Sequence, residues 1–169
     1  MSMADFSPSF EAVLLNEGGY KLTTVQNDKG GQTYAGITRR SNPNWLGWAA
    51  IDAGGRPEAQ LVRDLYRGKY WDAVRGDELP QKVAASLFDF AVNAGAKTAV
   101  KLAQLVVGVT PDGEIGPVTL KALNSVSPEV FVSQFAVAKI ARYRDICMKD
   151  RSQSKFLLGW INRALLGVA

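Results

Sequence analysis

Apolar positions recur at helical spacing along most of this chain, and one short stretch near its start behaves differently. Phe10, Val13, Leu14 and Glu17 fall at i, i+3, i+4 and i+7, on one helix face. Ser7-Pro8 reads as the start of that helix, a hydroxyl N-cap before a proline whose missing N–H costs nothing there. Gly18-Gly19 ends it. Two β-prone runs follow, residues 20–25 and 32–38, around the turn-rich Asn27-Asp28-Lys29-Gly30-Gly31, and they predict a small hairpin or irregular lobe. Residues 41–56 read as a loop with short helical pieces. Helices are then predicted from Pro57 through Leu61, Leu65 and Tyr66 towards Trp71, over 80–93 with Val83, Leu87, Phe90 and Ala91 inward, and over 97–107. A tight turn at 110–117 delivers Pro117 to a short helix ending near Leu123. Ser127-Pro128 starts a long helix with Phe131, Phe135, Ala138 and Arg142 in one row, and a last helix spans about 155–166. The pattern is that of a mostly helical, single body.

Composition narrows the chemistry. The chain has 169 residues, 47% hydrophobic and 21% charged, ordinary soluble values, and is long enough to bury roughly 70% of its unfolded surface. Its single cysteine excludes an internal disulfide, and Cys147, in helical register with Ile140 and Tyr143, is expected to be a buried structural thiol. There is no histidine, so Ser-His-Asp and Cys-His triads, HExxH zinc sites and histidine-ligated haem are excluded. Acid–base work must fall to carboxylates, lysines, tyrosines or the thiol. The net charge of +4 is concentrated between Lys139 and Arg163, where seven basic residues face two acidic ones. Such a run is either a solvated basic face or a surface for an anionic partner.

Four groups of residues carry candidate chemistry. Glu17 closes the first apolar stripe at the C-terminal end of its helix, where partial burial and the helix dipole both disfavour a charge. It is therefore expected to hold a proton near neutral pH. Glycosidic cleavage needs such an acid at the leaving oxygen, and a second group that supports the cationic transition state or activates water. Asp28 in the polar turn, followed by Thr33, meets that need; an ordinary helix-end glutamate fits the same residues. Tyr20, Tyr34, Trp45, Trp48, Tyr70 and Trp71 are rings that stack on sugar faces or fill a core, and Trp45 and Trp48, in a polar Gly-rich segment, are expected to be exposed. Asp89 and Asn93, at i and i+4, line a cleft or cap a helix end. Asp112-Gly113-Glu114 lacks the ligand ladder of a calcium loop and reads as a structural turn.

Taken in order, several motifs resemble a known family. Asn16-Glu17-Gly18-Gly19-Tyr20, Asp28-Lys29-Gly30-Gly31-Gln32-Thr33 and Gly36-Ile37-Thr38 are similar to the EGGY…DxGGxT…GIT signature of the glycoside hydrolase 108 family. The likeness continues through Tyr70-Trp71, residues 88–95, Gln104-Leu105, residues 112–119 and Gly159-Trp160-Ile161-Asn162-Arg163. It implies a mainly α, lysozyme-like fold with a small irregular or β-hairpin lobe near 20–38. It also implies a catalytic muramidase part at 1–93 and a peptidoglycan-binding helical part at 94–169, packed as one compact unit. By the same resemblance Glu17 is the general acid, Asp28 assists water or the cation, and Thr33 orients that water. Tyr20, Trp45, Trp48 and Asn93 are expected in the glycan groove. No cofactor or metal is implied.

The expected partner is the peptidoglycan glycan strand, held in part by the basic C-terminal helices, with no nucleic acid and no stable membrane insertion. The chain is expected to act as a monomer. Its N-terminus lacks a positively charged start and a long apolar run, so it does not read as a secretory signal. It is accordingly expected to be made in a bacterial or phage-infected cytoplasm and to act on the wall after release. A phage endolysin, an antibacterial effector and a secretion helper all fit, and the sequence assigns no immunity protein, holin or secretion apparatus. Two rivals stand beside a hydrolase: a lytic transglycosylase breaking the same bond without water, and a non-catalytic wall-binding protein.

Overall fold

The structure, a computed structural model, describes residues 3–25 and 31–168 and is mainly helical with one small sheet. Helix α1 (Phe6–Asn16) is capped by Asp5, whose carboxylate accepts the Ser7 N–H at 2.9 Å. The cap therefore lies two residues before the expected Ser7. Pro8 falls in the first turn, where backbone N–H groups have no helical acceptor to lose. The Ser7 hydroxyl instead takes a hydrogen bond from Arg63. At the other end Gly19 N–H reaches Leu14 O at 2.9 Å and Gly18 N–H reaches Leu15 O at 3.1 Å. With Gly18 at φ +90° this is a Schellman ending, and it leaves Glu17 as the last residue in place on the helix.

The lobe after it is a three-stranded antiparallel sheet, β1 (Leu22–Thr23), β2 (Thr33–Tyr34) and β3 (Ile37–Thr38), in that spatial order. Leu22 lies opposite Tyr34 and Thr33 opposite Thr38. The second β-prone run thus folds back on itself, giving one more strand than two runs suggested. The turn is Ala35-Gly36, with φ of +49° and +77° between directly paired residues, the signature of a type I′ hairpin.

Helices α2 (Gly47–Asp52), α3 (Ala59–Tyr66), α4 (Gln81–Ala94), α5 (Ala96–Val106), α6 (Pro117–Ser125), α7 (Pro128–Lys149) and α8 (Leu157–Leu165) follow, with a wide turn at Arg67–Trp71 after α3 and a 3-10 turn at Arg151–Phe156 before α8. Helix α4 runs through the middle, touching α1, α5 and α7. Its expected inner face, Val83, Leu87, Phe90 and Ala91, is buried as the periodicity indicated, with Phe88 beside it. Phe88 meets Phe6 and Trp71 edge-on, and Phe90 meets Phe135 at 90°, contacts worth about 0.5–1.5 kcal/mol each beyond area burial. Cys147 is buried, as expected. No helix among the described residues is long and apolar enough to cross a membrane.

Two polar residues inside this body matter. Gln104 is fully buried; its amide faces Asp112 Oδ1 at 2.7 Å, Glu114 O at 3.0 Å and Thr119 Oγ1 at 3.0 Å, and its carbonyl accepts the Gly113 N–H at 2.8 Å. The turn at 112–114 is therefore a structural one, tied to α5 by one side chain. Lys139 is only 4% exposed, although the sequence placed it in a basic run. Its ammonium lies over the Phe135 and Phe90 rings, and burial pushes its amine down to about 8, partly offset by the charge of Asp89.

Replacing Gln104 by alanine should lower stability in urea by about 2–3 kcal/mol, because the turn loses its only buried organiser and leaves donors unpaired. A loss below about 0.5 kcal/mol would show that the turn holds itself. Lys139 has a separate signature. Below about pH 8 its buried charge is carried in full; above it the folded protein sheds a proton that the unfolded chain keeps up to an ordinary pKa of about 10.4. Stability should thus rise with pH between about 8 and 10 and do so less in Lys139→Met; parallel pH curves would contradict the burial argument.

Candidate active site

The geometry around Glu17 follows from the two turns just described. The Schellman ending fixes its backbone, and the hairpin presses against its side chain: a Cβ on Gly36 would lie 3.0 Å from both Glu17 Cβ and Cγ and would also strike the Tyr66 hydroxyl. Only glycine fits there, for space as well as for φ. Tyr66, buried on α3, donates to Ala35 O at 2.9 Å and so pins the hairpin tip. Burial first, and then the negative charge of Glu17, push the phenols of Tyr66 and Tyr70 above their ordinary value, so both remain donors.

The third wall comes from the far end of the chain. Arg163 on α8 donates from Nη1 to Glu17 Oε1 at 3.1 Å, from Nη2 to Asp89 Oδ1 at 3.1 Å, and more weakly from Nε to Asp89 Oδ2 at 3.5 Å. The three side chains are each about one-quarter exposed or less. Burial alone would lower the Arg163 guanidinium, but the two carboxylates more than offset it and leave it raised. Glu17 Oε2 receives no hydrogen bond among the described residues. The expectation for Glu17 omitted this cation. It is shared with Asp89, which takes two of its N–H groups and Glu17 one.

The other site candidates divide. Asp28 lies outside the described residues. Thr33 is on β2, partly exposed, in a row with Thr23 and Thr38 across the sheet, and no hydrogen bond joins it to Glu17. Tyr20 follows the glycine turn, 46% exposed, its ring 6.4 Å from that of Tyr34. Asn93 is exposed near the end of α4. Trp48 does not present a face to solvent: it is 3% exposed, donates to Asn42 O at 2.7 Å and carries Arg39 over its ring. Trp45 is half-buried, stacked on Tyr34, edge-on to Trp48, and its indole N–H is taken by Leu61 O at 3.1 Å. The polar, Gly-rich neighbourhood misled here, because Gly47 is a close-packing contact under the Trp45 ring rather than a mark of exposure. Arg163 and Tyr66 were missed as site residues. Arg163 looked like one more cation in a basic run, and only the i, i+4 pair Asp89/Asn93 hinted that α4 bears on a cleft.

Residues 10–95 match the model of the family described as glycosyl hydrolase 108. The chain belongs to that family. Residues 98–165 match a second model, described as a predicted peptidoglycan domain. Among solved structures, the chain is similar to that of Brucella abortus SagA, with 28% identity and a TM-score of 0.68 over 96% of this chain and 95% of that one. No curated protein matches it. Membership in the glycosyl hydrolase 108 family, with a peptidoglycan-domain match behind it, supports a lysozyme-like role on peptidoglycan and agrees with the mainly α fold and small sheet lobe. Glu17 and Asp89 lie in the segment matched by the family, and Arg163 in the segment matched by the second domain.

The clamp predicts its own test. Arg163→Gln strips two partly buried carboxylates of their shared cation and should cost about 2 kcal/mol at pH 7, less than for a fully buried pair because water reaches the site. Adding Asp89→Asn to that variant should recover part of the loss, because it removes the repulsion between the two carboxylates. No recovery, measured by urea unfolding, would mean that packing rather than charge holds the three together.

Proposed function

We propose that this protein is a lysozyme that hydrolyses the β-1,4 bond between N-acetylmuramic acid and N-acetylglucosamine in peptidoglycan, with Glu17 as general acid. The observation that carries this reading is the placement of Glu17: a one-quarter-exposed carboxyl, fixed at a helix end, flanked by a hairpin and by Tyr66 and Tyr70, with Oε2 left open. Glu17 protonates the glycosidic oxygen through Oε2. Arg163 holds the opposite oxygen, and Asp89 takes the other two N–H contacts of that guanidinium. Asp28 then assists the attacking water or the developing cation, and Thr33 orients that water. Tyr20 and Asn93, both exposed, together with the half-buried Tyr70, offer the glycan a ring face and hydrogen-bonding groups. In this reading residues 1–93 supply the catalysis, and residues 94–169 bind the wall polymer and complete the site as one unit with them.

Glu17→Gln keeps the shape and the Arg163 contact but has no proton to give. It should slow clearing of purified cell walls by about 100-fold or more while leaving the fold intact. Undiminished clearing would remove Glu17 as the acid. Mass spectrometry of the products tests the role of water: reducing ends are expected, and anhydro-sugar ends would replace hydrolysis by transglycosylation. Asp28→Ala should cost about 10-fold or more in the same assay, and normal turnover would exclude it as a water-assisting group.

A further inference from the structure

Residues of α1, α4, α7 and α8 line a half-open cavity of about 300 Å³ beside Arg163. Lys139 and Arg163 both line it, with Asp89 the only carboxylate in its wall. Lys82 also reaches it, but that ammonium is exposed and paired with Glu129 at 2.8 Å. Lys139 is in a different state. It is 4% exposed, and among the described residues its only hydrogen bond is a long one, 3.3 Å to Ser86 Oγ, itself part of the wall. No carboxylate comes within 4.0 Å of it, since Asp89 is turned to Arg163. An ammonium has three donors and pays heavily for burial without acceptors. The rest of the wall is apolar, including Ala12, Val13, Ala85 and Val132.

We propose that this cavity is a binding site for a small, singly charged carboxylate with a short apolar body, its carboxylate received by Lys139 and Ser86 and its body by the apolar wall between α1 and α7. The charge fits: Arg163 is already paired with Asp89 and Glu17 and Lys82 with Glu129, so among the described residues of the wall the Lys139 ammonium is the cation that one carboxylate would neutralise. The size fits as well, since the volume is at the small end of ligand sites. The same chemistry is offered by a free short-chain acid and by the C-terminal carboxylate of a wall peptide. The site does not rest on the glycan-cleaving reading, and its test reads binding rather than turnover.

The full chain is titrated, at fixed ionic strength and pH 7, with butyrate, with its neutral isostere butyramide and with acetyl-D-alanyl-D-alanine, while the methyl signals of Ala12, Val13 and Val132 are followed by NMR. At least one of the two acids should give saturable shifts with a Kd of about 10 mM or tighter, and butyramide should give none. Tighter binding of the dipeptide would identify a wall peptide as the source, and tighter binding of butyrate a free acid. Lys139→Met, close in shape and neutral, should weaken the preferred acid by at least about tenfold. The proposal is overturned if neither acid saturates, if butyramide binds as well as the acids, or if a folded Lys139→Met binds undiminished. The butyramide comparison decides the matter even where that variant fails to fold.

Discussion

One guanidinium holds this site together. Arg163 reaches across 146 positions of sequence to Glu17 and 74 to Asp89, and both carboxylates are partly withdrawn from water. Two like charges do not share such a space without a cation between them. The pairing therefore joins three helices: it ties α8 to the C-terminal end of α1 and to the middle of α4. The apolar packing around it is consistent with that docking, with Ala164 buried beside the arginine and Trp160 against Tyr143. Coulomb attraction at this distance is worth only a few kcal/mol at the effective dielectric of a half-wet site. Its value here is directional, since a forked donor serves two acceptors at once.

The opposite wall is built from backbone conformation rather than charge. Gly18, Ala35 and Gly36 occupy left-handed backbone, the first ending α1 and the other two turning β2 into β3. Gly36 brings main chain against Glu17, where an added Cβ would collide with the glutamate and with Tyr66. The hydroxyl of Tyr66 locks the turn from behind, so the hairpin behaves as an extension of the helical body. The glutamate is thus gripped on one side by an ion pair that responds to charge and on the other by packing that does not.

Much of the helical frame was legible in the sequence because its cause is local. The stripe of Phe10, Val13 and Leu14, the glycine stop after Glu17, the inner face of α4 and the proline starts of α6 and α7 are all written within a few residues. The two-residue shift of the first cap reflects Asp5 accepting the Ser7 N–H and starting the helix earlier, while the Ser7 hydroxyl is engaged by Arg63. The basic C-terminal run was misread in part: most of it is a solvated face, while Lys139 and Arg163 point inward. Nothing in periodicity separates a lysine that crosses the core over two phenyl rings from one that waves in water. Trp48 failed for a related reason, because polar neighbours describe the loop's composition and not which side of it the indole takes. The candidate site was legible as far as the position of Glu17, and its ion-pair partner was not, since an ion pair over so great a separation leaves no mark in either neighbourhood.

The dependence of Glu17 and Asp89 on a residue 146 and 74 positions downstream of them has a consequence for biosynthesis. As the polypeptide leaves the ribosome, the first helices can collapse around Phe88 and Trp71 long before Arg163 emerges from the exit tunnel. Through that interval the nascent domain holds two facing carboxylates with no counter-ion, and the arrangement is completed only once Arg163 has emerged.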